Sequence, residues 1–171
     1  MKIIAVDENK KNRSPIPNDV LFDIQKRCKQ INDEPKWLIA LISDTGMRLS
    51  EACGLETTDI RFDGSSTYIN LVEHPWRRLK TSSSRRKIPL VGMSLWATQN
   101  VVKTGNQLAF PKYFSEDKCN SNSASAALHK WLRPKVPKHC VIHSFRHSLR
   151  DRLRAVECPA DIIDAIGGWT T

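Results

Sequence analysis

The hydrophobic period of the chain changes at residue 59, and this change constrains the fold more than any other feature. In the preceding segment, apolar residues recur every three or four positions, the spacing of one helix face; they are Leu21, Ile24, Cys28 and Ile31. From residue 59, "DIRF" and "TYINLVE" alternate around the turn-like "DGSS", a pattern typical of a hairpin. The sequence therefore predicts an α+β fold, mainly helical with a small three-stranded antiparallel sheet whose third strand is "RRKIPL" (85–90).

Prolines, glycines and polar caps indicate where the helices begin and end. Asn18 or Asp19 is the expected cap of the first helix, and Gly46 and Gly54 are expected to end the second and third. Later helices are predicted over 94–103, 123–132, 143–156 and 159–168. The expected buried residues of the last two helices are Phe145, Leu149, Leu153, Val156, Ile162, Ile163 and Ile166.

The length and charge of the chain favour one globular domain with a polyanionic partner. A chain of 171 residues with 40% apolar content can bury a core. Residues 1–17 are polar, charged and closed by two prolines, so we expect a linker there and a domain over 18–171. The 27 Lys and Arg against 18 Asp and Glu give a net charge of +9, which favours nucleic acid; the alternative is a solvated basic surface.

Several classes of protein are disfavoured. The five cysteines are odd in number and lack a C-x-x-C pair, so the sequence predicts neither a metal site nor a disulfide framework. The strongest apolar run, "WLIALI" (37–42), is much shorter than the roughly 20 residues that cross a bilayer. The start of the chain is too quickly charged for a secretory signal. We therefore expect a cytoplasmic protein with reduced thiols and no cofactor.

Two short segments carry candidate phosphate-binding residues. His143 and Arg146 lie three positions apart at a predicted helix start, where the partial positive charge attracts anions; the alternative is a solvated basic helix face. Arg48 follows the helix-ending Gly46, and Glu51 can hold its guanidinium in place. The alternative for Arg48 is a surface pair with Glu51 or a helix cap.

Three motifs together resemble a known family. "TGMRLSEACGL" (45–55), "HSFRH" (143–147) and "GGW" (167–169) occur in this order around the hairpin, and from residue 18 onwards the chain resembles the catalytic domain of the tyrosine recombinases, the phage integrase family. The resemblance implies that Arg48 and Arg146 bind the phosphate, with His143 beside them and Glu51 supporting the first arginine. Trp169 stands where most members have histidine and some have tryptophan; its indole N–H donates a hydrogen bond but cannot shuttle a proton.

The resemblance also implies a catalytic lysine between the second and third strands. Lys80 is the best match in "RRLKTSSSRRKIPL" (77–90), and Lys87 and Arg78 remain alternatives. His147 is expected either to support the site or to face the core. Contacts to the DNA backbone are expected from Arg77, Arg78, Arg85 and Arg86. Trp76 is the aromatic residue best placed to contact DNA.

The family's nucleophile is a tyrosine that forms a 3′-phosphotyrosyl bond to DNA, and it follows the position of Trp169. Tyr68 and Tyr113 do not match that position, so we expect that the nucleophile, like the amino-terminal DNA-clamping domain, is absent from this chain. The resemblance implies duplex DNA as partner and a tetramer on paired sites, although the fragment itself can be monomeric. The alternatives are a type IB topoisomerase-like domain and a non-catalytic DNA-binding module.

Overall fold

The computed structural model describes residues 14–169. Most of the predicted linker, residues 1–13, lies outside the described residues. The helices are α1 (Asn18–Ile31), α2 (Glu34–Thr45), α3 (Leu49–Cys53), α4 (Gly92–Lys103), α5 (Ser121–Leu132), α6 (Ser144–Ala155) and α7 (Ala160–Gly167). The strands are β1 (Ile60–Asp63), β2 (Ser66–Leu71), β3 (Arg86–Pro89), β4 (Phe114–Ser115) and β5 (Lys118–Cys119).

Helix α2 is the centre of the packed core. It contacts α1, α4 and α6, and its residues Leu38 to Ile42 are fully or almost fully buried. The Asp33 side chain accepts a hydrogen bond from the Lys36 amide at 3.1 Å and so caps the helix start. None of the helices within residues 14–169 is long and apolar enough to span a membrane.

A glycine turn at the end of α2 brings α6 close. Gly46 adopts a left-handed conformation with φ of 65°, which ends the helix. The positive φ favours glycine at this position, and a Cβ there would lie 2.8 Å from Cδ2 of Leu149, so the leucine side chain of α6 would have to shift. The chain leaves this turn directly into Met47 and Arg48.

The predicted three-stranded antiparallel sheet is confirmed, in the order β1-β2-β3. Ile60 pairs with Ile69, which pairs with Ile88, and these three buried side chains form one apolar row. Helix α7 packs against β3. Strands β4 and β5 form a second hairpin that the sequence did not predict, because two residues per strand leave no measurable alternation.

The domain starts earlier than the predicted boundary. Ile16, assigned to the linker from the sequence, is buried, and its amide donates to the Ser148 hydroxyl of α6 at 2.7 Å. Helix α1 begins at Asn18 after Pro17, without a side-chain cap, so the predicted cap at Asn18 or Asp19 is wrong. Pro17 itself occupies the cap position and has no side-chain oxygen that could accept a hydrogen bond from the first helical amides, so the helix starts without a side-chain cap.

Three predicted core residues are exposed because they lie at helix ends or on a short helix. Val156 follows the end of α6 and is 74% exposed, and Ile31 is the last residue of α1. Ile162 lies on the outer side of the eight-residue α7, whereas its neighbour Ile163 is buried. The helical spacing of apolar residues does not predict burial for residues beyond the end of a helix, or for a helix that packs along only one narrow line.

Candidate active site

Arg48 is held at the junction between α2 and α3 by Glu51. The Glu51 Oε1 atom accepts a hydrogen bond from the Arg48 amide at 2.9 Å and lies 3.5 Å from Arg48 Nη1. The same Nη1 donates to the Ser84 hydroxyl at 3.3 Å. The Arg48 side chain remains 22% exposed, so it is fixed at one end and open to a ligand at the other.

The buried Glu51 carboxylate is shared between two arginines. Its second oxygen, Oε2, accepts a hydrogen bond from Arg86 Nη1 at 2.8 Å, while Oε1 serves Arg48. The Glu51 side chain is 3% exposed. A carboxylate removed from water in this way requires such charged donors, and here it links the start of α3 to strand β3.

Arg146 enters the same site from helix α6. Its Nη1 donates to the Gly46 carbonyl at 2.9 Å, across 100 residues of sequence. Its Nη2 atom is buried and has no hydrogen-bond partner within residues 14–169. Burial, followed by the positive charges of Arg48 and Arg86, lowers the pKa of Arg146 to about 10. The guanidinium stays charged at neutral pH, in surroundings that favour an added anion.

Trp169 packs over the arginines of α6. The guanidinium carbon of Arg146 lies 4.4 Å from the centre of the indole ring, and that of Arg150 lies 4.9 Å away. Gly168, with φ of 64°, ends α7 and turns the chain so that the ring returns onto Gly167. A Cβ on Gly167 would overlap that ring, so both glycines are needed to place Trp169.

The two histidines of "HSFRH" lie side by side. His143 immediately precedes α6, and the centroid of its ring lies 5.3 Å from that of His147, in an edge-to-face arrangement. Both residues are partly buried. A cavity of about 820 Å³ opens beside His143, between the loop that leads into α6 and the Met47–Leu49 junction.

The connection between β2 and β3 carries the candidate lysine. Lys80 is exposed, and a short 3-10 helix, Ser82–Ser84, follows it and ends at the serine that contacts Arg48. Lys87 lies on the opposite face of β3 from the buried Arg86, with its ammonium 5.3 Å from the centre of the Tyr68 ring. Side chains alternate between the faces of a strand, so the Lys87 side chain points away from the face that carries Arg86.

Two of the predicted DNA-contacting arginines are instead buried. Arg77 is 5% exposed; its Nη1 donates to the Glu51 carbonyl at 2.7 Å, and its Nη2 contacts the Val72 carbonyl. Arg86 is also buried, whereas Arg78 and Arg85 are exposed. The prediction of a DNA contact at Arg77 is therefore corrected, because its guanidinium joins the β2–β3 connection to α3.

Trp76 is likewise used inside the protein. Its indole N–H donates to the Gly54 carbonyl at 2.9 Å, and its ring stacks on His74 with centroids 4.7 Å apart. His74 in turn contacts the Asp59 carboxylate at 2.8 Å. These contacts give the ring a structural role and remove the reason to expect base stacking there.

The sequence assigned Arg86 to the DNA backbone and not to the buried contacts around Glu51, and it did not single out Ser84. A signal for Arg86 was present, because it lies two residues before the buried Ile88 and shares its face of β3. Ser84 offered no such signal, since it lies in a polar connection where serine is common. Its place beside Arg48 depends on the path of the loop.

The fold is that of the catalytic domain of tyrosine recombinases. Two solved structures of the Tn1549 transposon integrase, one with transposon right end DNA and one with circular intermediate DNA, superpose with TM-scores of 0.70 and 0.72 at 19% and 18% identity. The match covers 97% of this chain and 61% and 60% of those chains. A post-cleavage complex of the XerH site-specific recombinase gives a TM-score of 0.67 at 15% identity, covering 93% of this chain and 47% of that one.

The sequence model of the phage integrase family matches residues 16–171. The chain therefore belongs to the phage integrase family, as the three motifs predicted. No curated protein sequence matches it significantly. The chain spans about six-tenths of the transposon integrase chains to which it is similar.

Proposed function

We propose that this chain binds duplex DNA and carries the site at which a site-specific recombinase cleaves and rejoins a DNA strand. The observation that carries the proposal is that Arg48 and Arg86 share the single carboxylate of Glu51, while Arg146 binds the Gly46 carbonyl, two residues before Arg48. Family membership and the likeness to DNA-bound integrase and recombinase structures support it.

The charge of the site suits phosphoryl transfer. Three guanidiniums against one carboxylate leave two positive charges uncompensated, and the buried Nη2 atom of Arg146 has no partner in the described part of the chain. A phosphodiester carries one negative charge, and a second develops on its oxygens as a hydroxyl attacks. Fixed guanidiniums stabilise that added charge, and they do so without a metal ion.

The remaining residues have distinct roles in the proposal. Lys80 protonates the departing 5′-oxygen, because it is exposed and its loop leads directly to Ser84 and Arg48. His143 assists phosphate binding, and His147 supports it by ring contact. Trp169 holds Arg146 against its ring and offers its indole N–H as a donor.

Neither tyrosine of this sequence suits the role of nucleophile. Tyr68 lies on the sheet, where its hydroxyl reaches the Asp63 carboxylate at 3.4 Å. Tyr113 is buried, and burial raises the pKa of its phenol to about 12, which makes it a poor nucleophile. We propose that the attacking tyrosine is supplied by a segment outside this sequence and that the amino-terminal residues connect to a DNA-clamping domain.

The partner and the assembly follow from the same proposal. The net charge of +9 suits the phosphate backbone of duplex DNA, and four copies would act together on paired sites. The cysteines Cys28, Cys53, Cys119, Cys140 and Cys158 are all free thiols. That state fits the cytoplasm of a bacterium or of a phage-infected cell, where we place the protein.

Strand cleavage, measured separately from binding, tests the proposal. In the whole protein that carries this chain, Arg48→Ala and Arg146→Ala should each reduce covalent protein–DNA adduct on a denaturing gel by at least about 100-fold, as expected for loss of a transition-state donor. Each variant should keep most of its affinity for duplex DNA. A protein that binds duplex DNA without forming any adduct, and whose affinity falls in both variants, would favour a non-catalytic DNA-binding module instead.

A further inference from the structure

Arg86 makes an unusual set of contacts for a strand residue. In β3 it pairs with Leu71 of β2, and its side chain points to the same buried face as Ile88. The Arg86 Nε atom donates to the Ile166 carbonyl at 2.7 Å. Its Nη1 atom donates to Glu51 Oε2 at 2.8 Å and to the Ser84 carbonyl at 2.7 Å.

These contacts join three separate parts of the site. Glu51 belongs to the start of α3 and holds Arg48 by its amide. Ser84 ends the β2–β3 connection and also reaches the Arg48 guanidinium. Ile166 lies in the last turn of α7, three residues before Trp169.

The close approach of Arg86 to α7 depends on a glycine. A Cβ on Gly168 would lie 2.9 Å from Arg86 Nη1 and 3.0 Å from the Ser83 carbonyl. Any other residue there would force the guanidinium or the end of α7 to move. The position of Trp169, which follows this glycine, is therefore coupled to the position of Arg86.

We propose that Arg86 is a positioning residue of the strand-transfer reaction, which fixes Arg48 through Glu51 and Trp169 through the end of α7. The inference rests on the proposed function of the site. Arg86 acts through its neighbours, because its Nε and Nη1 atoms are engaged by the protein and its Nη2 atom is buried. Its positive charge also acts on Arg146, whose pKa it helps to lower.

A guanidinium suits this task, and an ammonium does not. The planar fork directs Nε and Nη1 toward acceptors on two different elements at once. A lysine at this position has one nitrogen, which can reach Glu51 or the Ile166 carbonyl but does not present the same fixed pair of donors. Arg86→Lys therefore keeps the charge and removes the geometry.

The test measures the cleavage rate and the DNA affinity of Arg86→Lys in the whole protein that carries this chain. We expect the rate of adduct formation at saturating DNA to fall on the order of 10- to 100-fold, as for a slight misplacement of catalytic groups. The dissociation constant for duplex DNA should change by less than about 3-fold, because the charge remains. Arg61→Ala, an exposed arginine of the same sheet, is the matched control and should retain the wild-type rate.

A second measurement separates positioning from simple stabilisation of the fold. Arg86→Ala, assayed well below its melting temperature, should be slow and should regain part of its rate when millimolar methylguanidinium is added, whereas Arg48→Glu should not. An Arg86→Lys variant that cleaves at the wild-type rate would overturn the inference, as would an Arg86→Ala variant that is fully active whenever it is folded. If Arg48→Ala and Arg146→Ala also cleave normally, the proposed function itself fails; if they are inactive and Arg86→Lys is normal, only this inference fails.

Discussion

The Arg146 guanidinium lies between the Gly46 carbonyl, 2.9 Å away, and the face of the Trp169 ring, 4.4 Å from its centre. One side of the cation is thus fixed by a backbone acceptor and the other by an aromatic surface. Most family members carry histidine at the position of Trp169. The tryptophan holds the arginine against its ring, but its indole cannot transfer a proton. In the proposed reaction, proton transfer is therefore assigned to Lys80 or His143.

Trp169→Phe and Trp169→Ala should separate the two contributions of the indole. The phenylalanine variant keeps a ring over Arg146 and loses the N–H donor, whereas the alanine variant loses both. We expect the alanine variant to be the slower of the two in adduct formation, and its free energy of unfolding to fall by about 0.5–2 kcal/mol from the lost cation–π contact. Urea denaturation and adduct assays on both variants would check this. Equal rates for the two variants would show that only the N–H matters.

Gly167→Ala should displace Trp169 while leaving α7 helical. Alanine favours a helix, yet its Cβ would overlap the indole ring, so the ring must move off the arginines. We expect a shift in tryptophan fluorescence and a loss of adduct formation, with the far-UV circular dichroism unchanged. Ile162→Ala, at an exposed position of the same helix, is the control and should change neither signal. Unchanged fluorescence in the glycine variant would contradict the packing.

Glu51→Gln should destabilise the protein and increase its response to phosphate. The change leaves Arg48 and Arg86 beside a neutral amide, and breaking a buried ion pair of this kind costs about 3–5 kcal/mol of unfolding free energy. Inorganic phosphate should raise the melting temperature of this variant more than that of the wild type, because an added anion compensates the cations. Asp151→Asn removes an exposed pair with Arg154 and should have little effect on either measurement. A wild-type phosphate response in Glu51→Gln would argue against an anion site.

The salt dependence of DNA binding should separate exposed cations from buried ones. Arg78→Ala, Lys80→Ala and Arg85→Ala should each reduce the slope of log affinity against log salt by about one if the residue contacts a phosphate. Arg77→Leu should leave the slope unchanged and lower the melting temperature, because its guanidinium bonds to backbone carbonyls inside the protein. Fluorescence anisotropy over a salt series, with a labelled duplex, provides the measurement. A reduced slope for Arg77→Leu would place that guanidinium on DNA after all.

The elements with a strong period were predictable from the sequence, and so was the family. Gly46 and the "DGSS" turn were predictable as the end of α2 and as the hairpin turn, because a left-handed glycine and a tight turn have local causes; Gly54 ends α3 with a φ of −91°. The convergence of Arg48 and Arg146 could be expected only through the resemblance, since nothing local in the sequence brings two segments 100 residues apart together.

The errors concern residues whose environment is set by distant parts of the chain. Arg77 and Trp76 lie in a polar connection that looked solvated, yet both fold back onto α3. Arg86 lies in a run of basic residues that predicts a solvated surface, but its side chain is buried beneath the end of α7. Burial of a charged residue depends on partners that are remote in sequence, and the local pattern does not contain them.

The glycine turn at the end of α2 has a consequence for how members of such a family can diverge. The Gly46 carbonyl accepts a hydrogen bond from Arg146, and Arg48 follows Gly46 by two residues. The positions of both guanidiniums therefore depend on the same backbone turn. The connection between α4 and α5 contains neither residue, so insertions or deletions there leave this turn unchanged. Such a layout lets loops that face different DNA sites vary in length and sequence while the spacing of the two cations stays constant.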